Sequence, residues 1–274
     1  MAMITIDQEK CVKDGICVSE CPALIIIRAK DGFPQIVEET EGFCINCGHC
    51  VAVCPTAALS HKNLSPEACL EIEKNLLPDP ESMEHFFRYR RSIRTYKKKQ
   101  VPKALLERII AIASHAPSGH NRQPVQWHVI YEREKLTQLC VHVIDWMKWM
   151  IKEKPEIARP MELELVVTGY EAGNDILTRG TPHLILAHGN REDFSSQSGC
   201  TIAMTWLELA LPAFGLGGCW CGYFNAAAAS WPPLQAALGL PKKNLSYGAM
   251  MVGYPKYAYH RIPPRNSAVI TGLQ

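Results

Sequence analysis

Cysteine spacing constrains this chain more than any other feature. Residues 44–55 read CINCGHCVAVCP, so Cys44, Cys47, Cys50 and Cys54 fall at C-x2-C-x2-C-x3-C and Pro55 follows directly. Residues 11–22 read CVKDGICVSECP, the same frame with Cys11, Cys17, Cys21 and Pro22 in place and Asp14 where the second cysteine would stand. Seven of the twelve cysteines lie between Cys11 and Cys54. In a secreted chain such density suggests disulfides, whereas in a reducing compartment thiols stay free and clustering points to metal ligation. The opening MAMITIDQEKC has no basic stretch leading into an apolar one, so no signal peptide is expected. No run approaches the roughly 18 apolar residues of a membrane span, and a cytoplasmic, membrane-free protein is the expectation.

Thiolates are the soft donors that sulfide-bound iron prefers, and two-residue gaps let one loop wrap a cubane. The pair of runs resembles the two-cluster bacterial-type ferredoxins over about residues 4–60. In that family the fourth cysteine of each run crosses to the other cluster. The resemblance implies that Cys44, Cys47, Cys50 and Cys21 hold one [4Fe-4S] cluster, while Cys11, Cys17 and Cys54 give three thiolates to the other. A carboxylate is a harder donor than a thiolate but still binds iron, and Asp14 stands where a ligand is required. Three outcomes are open: an Asp14-ligated [4Fe-4S] cluster, a [3Fe-4S] cluster, or a cubane with water at that corner. The first is expected without oxygen, with ready loss of that iron on oxidation; against all three stands Asp14 as a plain turn residue before Gly15. Between the runs, PALIIIRAKDGFPQIV reads as a β-hairpin turning at Lys30-Asp31-Gly32, which would shield the clusters on one side.

The 274 residues suffice for two unequal domains, and 47% hydrophobic content fits a packed core. A net charge of +2 gives no reason to expect nucleic acid as a partner, but residues 1–62 carry −3 and the remainder +5. The expected organisation is an iron-sulfur domain over 1–62, a helical linker over 63–83 and a larger domain over 84–274. Ser65 and Pro66 are placed to start the linker helix and Pro78-Asp79-Pro80 to end it, with Cys69 on that helix as a buried structural residue. A second helix is expected from near Glu81 through MEHFFRYRRSIRTY.

Arg90, Arg91, Ser92 and Arg94 form a basic cluster, and arginine forks with a hydroxyl match a phosphate through several charge-assisted hydrogen bonds. The stretch IASHAPSGHNRQPVQWHVIY follows, reading as a helix end, a polar loop and a strand from Trp127. RRSIR followed by APSGHNRQP resembles the FMN-dependent nitroreductase family, as do LPAFGLGGCWCGYF and MVGYPKYAYHRIPPR, over roughly residues 84–272. The resemblance implies an α+β fold with a mixed sheet sandwiched by helices, and a homodimer with FMN at the subunit interface. It implies that Arg90, Arg91, Ser92 and Arg94 hold the FMN phosphate and ribityl chain, with Arg265 returning to the same phosphate and Arg261 a further candidate. Ser118, Asn121 and Gln123 would contact the ribityl chain and the isoalloxazine edge, and backbone groups of Trp220, Cys221 and Gly222 would face the flavin N5 region. His120 is either a proton donor to bound product or, as preferred, a hydrogen-bonded loop histidine. The sequence departs from the family pattern in having Val125 after Pro124, with the tryptophan delayed to Trp127.

TIAMTWLELALPAFGLGG reads as an apolar core or interface helix, and AVITGLQ as a terminal arm reaching the partner. DWMKWMIKE is either a lid over the flavin or, as preferred, an ordinary amphipathic helix; Cys219 and Cys221 are expected in the core. A ferredoxin module moves single electrons and a flavin converts singles to pairs, so the expected activity is oxidoreduction from clusters to FMN to a small planar acceptor: a nitroaromatic, quinone or activated alkene. The external donor would be a ferredoxin or NAD(P)H. The alternatives are an NAD(P)H-oxidising flavoprotein that delivers electrons out through the clusters, and a non-catalytic redox carrier or sensor.

Overall fold

The computed structural model describes residues 2–272, so Leu273 and Gln274 of the expected terminal arm lie outside the described residues. The chain forms two compact units, residues 1–78 with 119–122, and residues 79–118 with 123–274.

In the first unit β1 (Ile4–Ile6) pairs antiparallel with β4 (Leu59–His61), and β2 (Ile26–Arg28) with β3 (Pro34–Ile36). The second pair is the expected hairpin: Gly32 takes φ +88, the Ala29 amide donates to Phe33 O, and the Phe33 amide donates to Asp31 Oδ1. Two one-turn helices, α1 (Ile16–Ser19) and α2 (His49–Ala52), follow the Asp14 and Cys47 positions. The unit repeats itself with an offset of 33 residues, α1 mapping onto α2 and β2 onto β4. Left-handed backbone recurs at the matching positions Lys13 and Asn46 (φ 59 and 52), Gly15 and Gly48 (77 and 73), and Leu24 and Ala57 (55 and 54). Such conformations are costly for residues with a Cβ, so their recurrence marks a backbone shaped to one purpose in both halves.

No linker helix forms over 65–77. Two 3-10 turns stand there instead, Pro66–Ala68 and Lys74–Leu76, and Ser65 makes no side-chain cap. Leu70, Ile72, Leu76 and Leu77 are all exposed, so no apolar face is buried to offset the cost of helix nucleation. Cys69 is half-buried, packed against the cluster of Cys17, Val51 and Leu59, with its thiol toward Ser65 O.

The second unit opens with α3 (Pro80–Tyr89), capped by Asp79, whose carboxylate accepts from the Ser82 amide at 2.9 Å. The helix stops before Arg90 rather than running on to Tyr96. Tertiary pairing overrides its periodicity: the Ile93 amide donates to Gly218 O and the Lys97 amide to Tyr254 O. There follow α4 (Lys103–Ala113), β5 (Gln126–Ile130), α5 (Arg133–Glu153), α6 (Pro155–Ala158), α7 (Leu163–Glu171), β6 (His183–Asn190), α8 (Ser196–Ala210), β7 (Gly217–Trp220), α9 (Gly222–Ser230), α10 (Pro232–Leu238) and β8 (Asn244–Gly253).

The strand order is β5-β6-β8-β7. Every pair among the described residues is antiparallel, where a mixed sheet was expected within the same α+β class. Helices cover both faces. Leu184, Leu186, Ala249 and Met251 point into the core formed with α5, α7, α9 and α10, while Ile185, Ala187, Met250 and Val252 point into the one formed with α4 and α8. That alternation explains why β6 and β8 read as nearly unbroken apolar runs despite antiparallel pairing. Val125 and Trp127 lie against the α4 and α8 core, so the delayed tryptophan enters the strand with Ala187 opposite it. Trp146, Met147 and Met150 are buried on α5, which makes DWMKWMIKE a core-packed amphipathic helix. Cys219 and Cys221 are buried, as expected.

Candidate cofactor sites

The 33-residue repeat positions the candidate sulfur ligands. In the second half, Asn46 and Gly48 wind the backbone around Cys47, and α2 carries Cys50 one turn before Cys54. In the first half Lys13 and Gly15 wind the same path around Asp14, and α1 carries Cys17 before Cys21. Asp14 thus occupies the backbone counterpart of Cys47.

Two cavities result. One is lined by Cys44, Cys47 and Cys50 together with Cys21, and is closed by Ile25, Ile26 and Ile36 of the hairpin region and by His61. The other is lined by Cys11, Asp14 and Cys17 together with Cys54, with Ile6, Pro34 and Leu59 alongside. In each cavity the last cysteine of one run joins the first three positions of the other. Among the described residues no His, Cys, Asp or Glu group is arranged around a single metal ion.

The donor chemistry fits a polynuclear cluster. Burial, then the neighbouring Cys47, Cys21 and Cys44 thiols, push Cys50 up to about 11, and burial, then Cys54, Asp14 and Cys11, raise Cys17. Crowded thiols oppose one another's ionisation, and bound iron would supply the positive charge that relieves it. Cys54 differs: burial raises it, but the Ala58 amide at 3.3 Å and the Thr56 amide and hydroxyl outweigh burial and lower it. Asp14 uses Oδ1 to accept from the Ile16 amide at 3.1 Å and its backbone oxygen to accept from Arg28 Nη2 at 2.9 Å. Asp14 thus both makes the turn contact through Oδ1 and lines the cavity.

His61 drew no notice in the sequence. It lies in β4, its Nε2 is 3.6 Å from Cys44 Sγ, and its Nδ1 accepts the Asn63 amide at 3.1 Å. Burial, with Lys62, holds its pKa below the usual histidine value.

Residues 119–122 belong to this first unit. Asn121 Nδ2 donates to Asn46 O at 2.9 Å and reaches Ile45 O at 3.4 Å, so its amide is engaged with the loop between Cys44 and Cys47. His120, Asn121 and Gln123 all have positive φ (52, 51 and 47), an unusual density of costly conformations in a loop without glycine at those positions.

In the second unit an open cavity of about 590 Å³ is lined by Phe87, Arg88, Arg90, Arg91, Ile262, Pro263, Pro264 and Arg265. The size suits a mononucleotide-like ligand. The C-terminal segment is brought there by pairing of Tyr96 with Pro255 and by the Lys256 amide donating to Thr95 O. Arg91 donates through Nη2 to Arg88 O, and its buried Nε has no partner, as expected where an anion completes the site. Arg90 is different: its Nη1 pairs with Glu208 Oε1 at 2.8 Å, and Trp220 Nε1 donates to the other oxygen at 3.1 Å. Glu208, a lone acid on apolar α8, went unremarked in the sequence, although a buried acid among apolar neighbours demands a partner. Ser92, Arg94 and Arg261 do not line this cavity, and Arg94 and Arg261 are exposed. Ser118 Oγ accepts the Gln123 amide, closing the polar loop on itself. Trp220 ends β7 half-exposed, Gly222 opens α9, and the Cys221 amide is taken up by Ala249 O within the sheet.

The family model for the nitroreductase family matches residues 87–254, more than half of the chain. The chain belongs to the nitroreductase family. Residues 3–55 match a 4Fe-4S dicluster domain, so this nitroreductase-family oxidoreductase, FMN-dependent as its family is, carries an N-terminal ferredoxin module. It is 28% identical over 188 residues to a protein named NADH dehydrogenase from Thermus thermophilus, covering 64% of this chain and 88% of that one. Its N-terminal part is 38% identical over 64 residues to a protein named Ferredoxin 7Fe from Hydrogenibacillus schlegelii, covering 22% of this chain and 73% of that one. The nitroreductase with bound FMN from Bacteroides fragilis superposes with a TM-score of 0.57 at 21% identity, over 70% of this chain and 98% of that one. Among the described residues no helix is long and apolar enough to cross a membrane.

Proposed function

We propose that this nitroreductase-family chain takes electrons at the N-terminal clusters, passes them to FMN and reduces a small planar acceptor such as a nitroaromatic, quinone or activated alkene. The observation that carries the reading is the pairing, in one polypeptide, of two cysteine-lined cavities with an arginine-lined cavity of mononucleotide size. Bound FMN supplies the capacity to accept electrons singly and release them in pairs. Arg91 and Arg265 hold the phosphate, Arg91 through the Nε that lacks a partner, while Arg90 with Glu208 fixes the indole of Trp220 at the sheet end. Ser118, Gln123 and Gly222 offer polar and backbone groups to the ribityl chain and ring, and Ser92, Arg94 and Arg261 serve at the margin of the site. No acid-base pair is assigned, since the flavin carries the chemistry.

Cys21, Cys44, Cys47 and Cys50 hold a [4Fe-4S] cluster in this reading, and Cys11, Cys17 and Cys54 hold the second with Asp14 as its fourth ligand. The relative named as a seven-iron ferredoxin supports easy loss of one iron at such a centre. A homodimer is part of the proposal: α3 buries none of its residues, and Met83, Phe87 and Tyr89 expose apolar surface that a second copy would cover. The relative named NADH dehydrogenase favours a second reading, in which NADH or NADPH reduces FMN and the clusters carry electrons outward.

Anaerobic full-length protein, with iron, sulfide and FMN quantified per chain, tests both. Turnover of the acceptor panel with reduced ferredoxin supports the first reading. Reduction of added ferredoxin by NADH or NADPH supports the second. Absence of any turnover with all three donors overturns both in favour of a carrier or sensor.

A further inference from the structure

The two halves of the first unit share a backbone but differ in what stands at the end of the strand after each cysteine run. The 33-residue offset relates His61 of β4 to Arg28 of β2. Arg28 reaches a backbone oxygen, that of Asp14 at 2.9 Å. His61 reaches a sulfur, with Nε2 3.6 Å from Cys44 Sγ, and lines the same cavity as Cys44.

The surrounding hydrogen bonds assign the tautomer. The Asn63 amide can only donate, and it points at Nδ1 from 3.1 Å, so Nδ1 carries a lone pair. A neutral ring with a bare Nδ1 bears its proton on Nε2, the nitrogen that faces sulfur. The backbone that carries the ring is held on both sides: the His61 amide donates to Leu64 O, the Leu64 amide donates back to His61 O, and β1 pairs Ile4 with His61. The geometry is therefore a directed N–H to sulfur bond from a buried side chain.

We infer that His61 is a positioning residue that tunes the cluster held by Cys21, Cys44, Cys47 and Cys50, raising its reduction potential by donating a hydrogen bond to the Cys44 thiolate. The inference rests on the reading of Cys44 as a cluster ligand. Reduction adds negative charge to the cluster and its sulfurs, and a donor aimed at a sulfur stabilises the more negative state more strongly. Arg28, directed at a carbonyl, gives the other centre no side-chain bond of this kind; there the Ala58 backbone amide donates to Cys54 Sγ at 3.3 Å instead, so the two centres of this near-symmetric unit receive their donors at different sulfurs.

The test is an anaerobic redox titration of the full-length holoprotein followed by electron paramagnetic resonance. His61→Phe keeps the ring and removes the donor; His61→Gln keeps an N–H at a similar reach. His61→Phe is expected to shift the reduction equilibrium of one cluster about tenfold toward the oxidised form, or about 59 mV lower for a one-electron centre. The other cluster should hold its potential, and His61→Gln should recover most of the shift. An unmoved potential in fully iron-loaded His61→Phe overturns the inference. Cys44→Ala, which leaves no donor atom, separates this from the underlying reading: full iron retention in that variant sinks the ligand assignment, whereas iron loss there with an unmoved potential in His61→Phe sinks the tuning alone. Should His61→Phe fail to assemble, wild-type protein with 15N-labelled histidine decides the matter, since hyperfine coupling of a histidine nitrogen to the reduced cluster is required and its absence refutes the bond.

Discussion

Arg90 and Glu208 form an ion pair at 2.8 Å with little solvent access, the carboxylate side chain being 9% exposed and the guanidinium 23%. Glu208 also accepts from the Trp220 indole, so one carboxylate ties the segment after α3 to α8 and to the end of β7. Removing one partner of such a pair leaves the other charge without compensation in a poorly solvated place. Glu208→Ala should therefore destabilise the flavin unit by about 3 kcal/mol, read by urea denaturation of FMN-saturated protein. A loss below about 0.5 kcal/mol, the range of an ordinary surface substitution, would show that the pair is incidental.

Arg91 and Arg90 adjoin in sequence but play different parts. The pairing with Glu208 occupies Arg90, whereas Arg91 lines the open cavity with a buried Nε that lacks a partner. Arg91→Ala should weaken FMN binding by about 1.5–3 kcal/mol, the range of a hydrogen bond to a charged group. That is roughly tenfold to more than a hundredfold in Kd, measurable by flavin fluorescence quenching on titration of apoprotein. Arg88, which pairs with Glu84 one helical turn away, is mostly exposed, and Arg88→Ala should change the Kd far less. Equal losses in the two variants would reject the assignment.

Asp14 can be tested against its backbone counterpart. Lys13 and Gly15 hold it in the path that Asn46 and Gly48 give Cys47. Asp14→Cys should restore a four-thiolate set, so that air exposure no longer yields the [3Fe-4S] paramagnetic signal expected of the parent. The variant also forfeits the Oδ1 bond from the Ile16 amide, at a cost of about 1 kcal/mol that cluster binding should offset. If parent and variant give the same spectrum after air exposure, Asp14 is a turn residue alone.

Much of this was legible because local chemistry carried it. Cysteine spacing limited which sulfurs could gather, and the resemblance to two-cluster ferredoxins implied the crossing of Cys21 and Cys54 that the two cavities show. The hairpin at Gly32 and the apolar α8 were likewise readable from turn chemistry and periodicity. Long-range competition was not. α3 stops at Tyr89 because residues 93–97 find partners at Gly218 and Tyr254, more than a hundred positions away. The helix expected over 65–77 had good start and stop residues but no surface to pack against. His61 and Glu208 were invisible for a related reason: each acquires its role from a partner that only the folded chain brings near.

Acid sensitivity of the flavin unit should originate in two buried histidines. His183 accepts the Val101 amide at Nε2 and donates from Nδ1 to Tyr131 O, and His188 Nδ1 accepts from Asn244 Nδ2 at 2.8 Å. Each ring holds its bonds only when neutral. Burial first, opposed at His183 by the Tyr131 bond and aided at His188 by His128, sets both below the ordinary value of 6.5. The unfolded chain then binds more protons than the folded one between each depressed value and 6.5, so stability rises with pH across that window. It is fully present above about 6.5 and declines as the pH falls through the window toward the folded-state values. Urea midpoints of the holoprotein should be level between about pH 7 and 8 and fall from about pH 6.5 downward. His188→Asn should flatten part of that slope, whereas a midpoint independent of pH in the wild type would remove both histidines from the account.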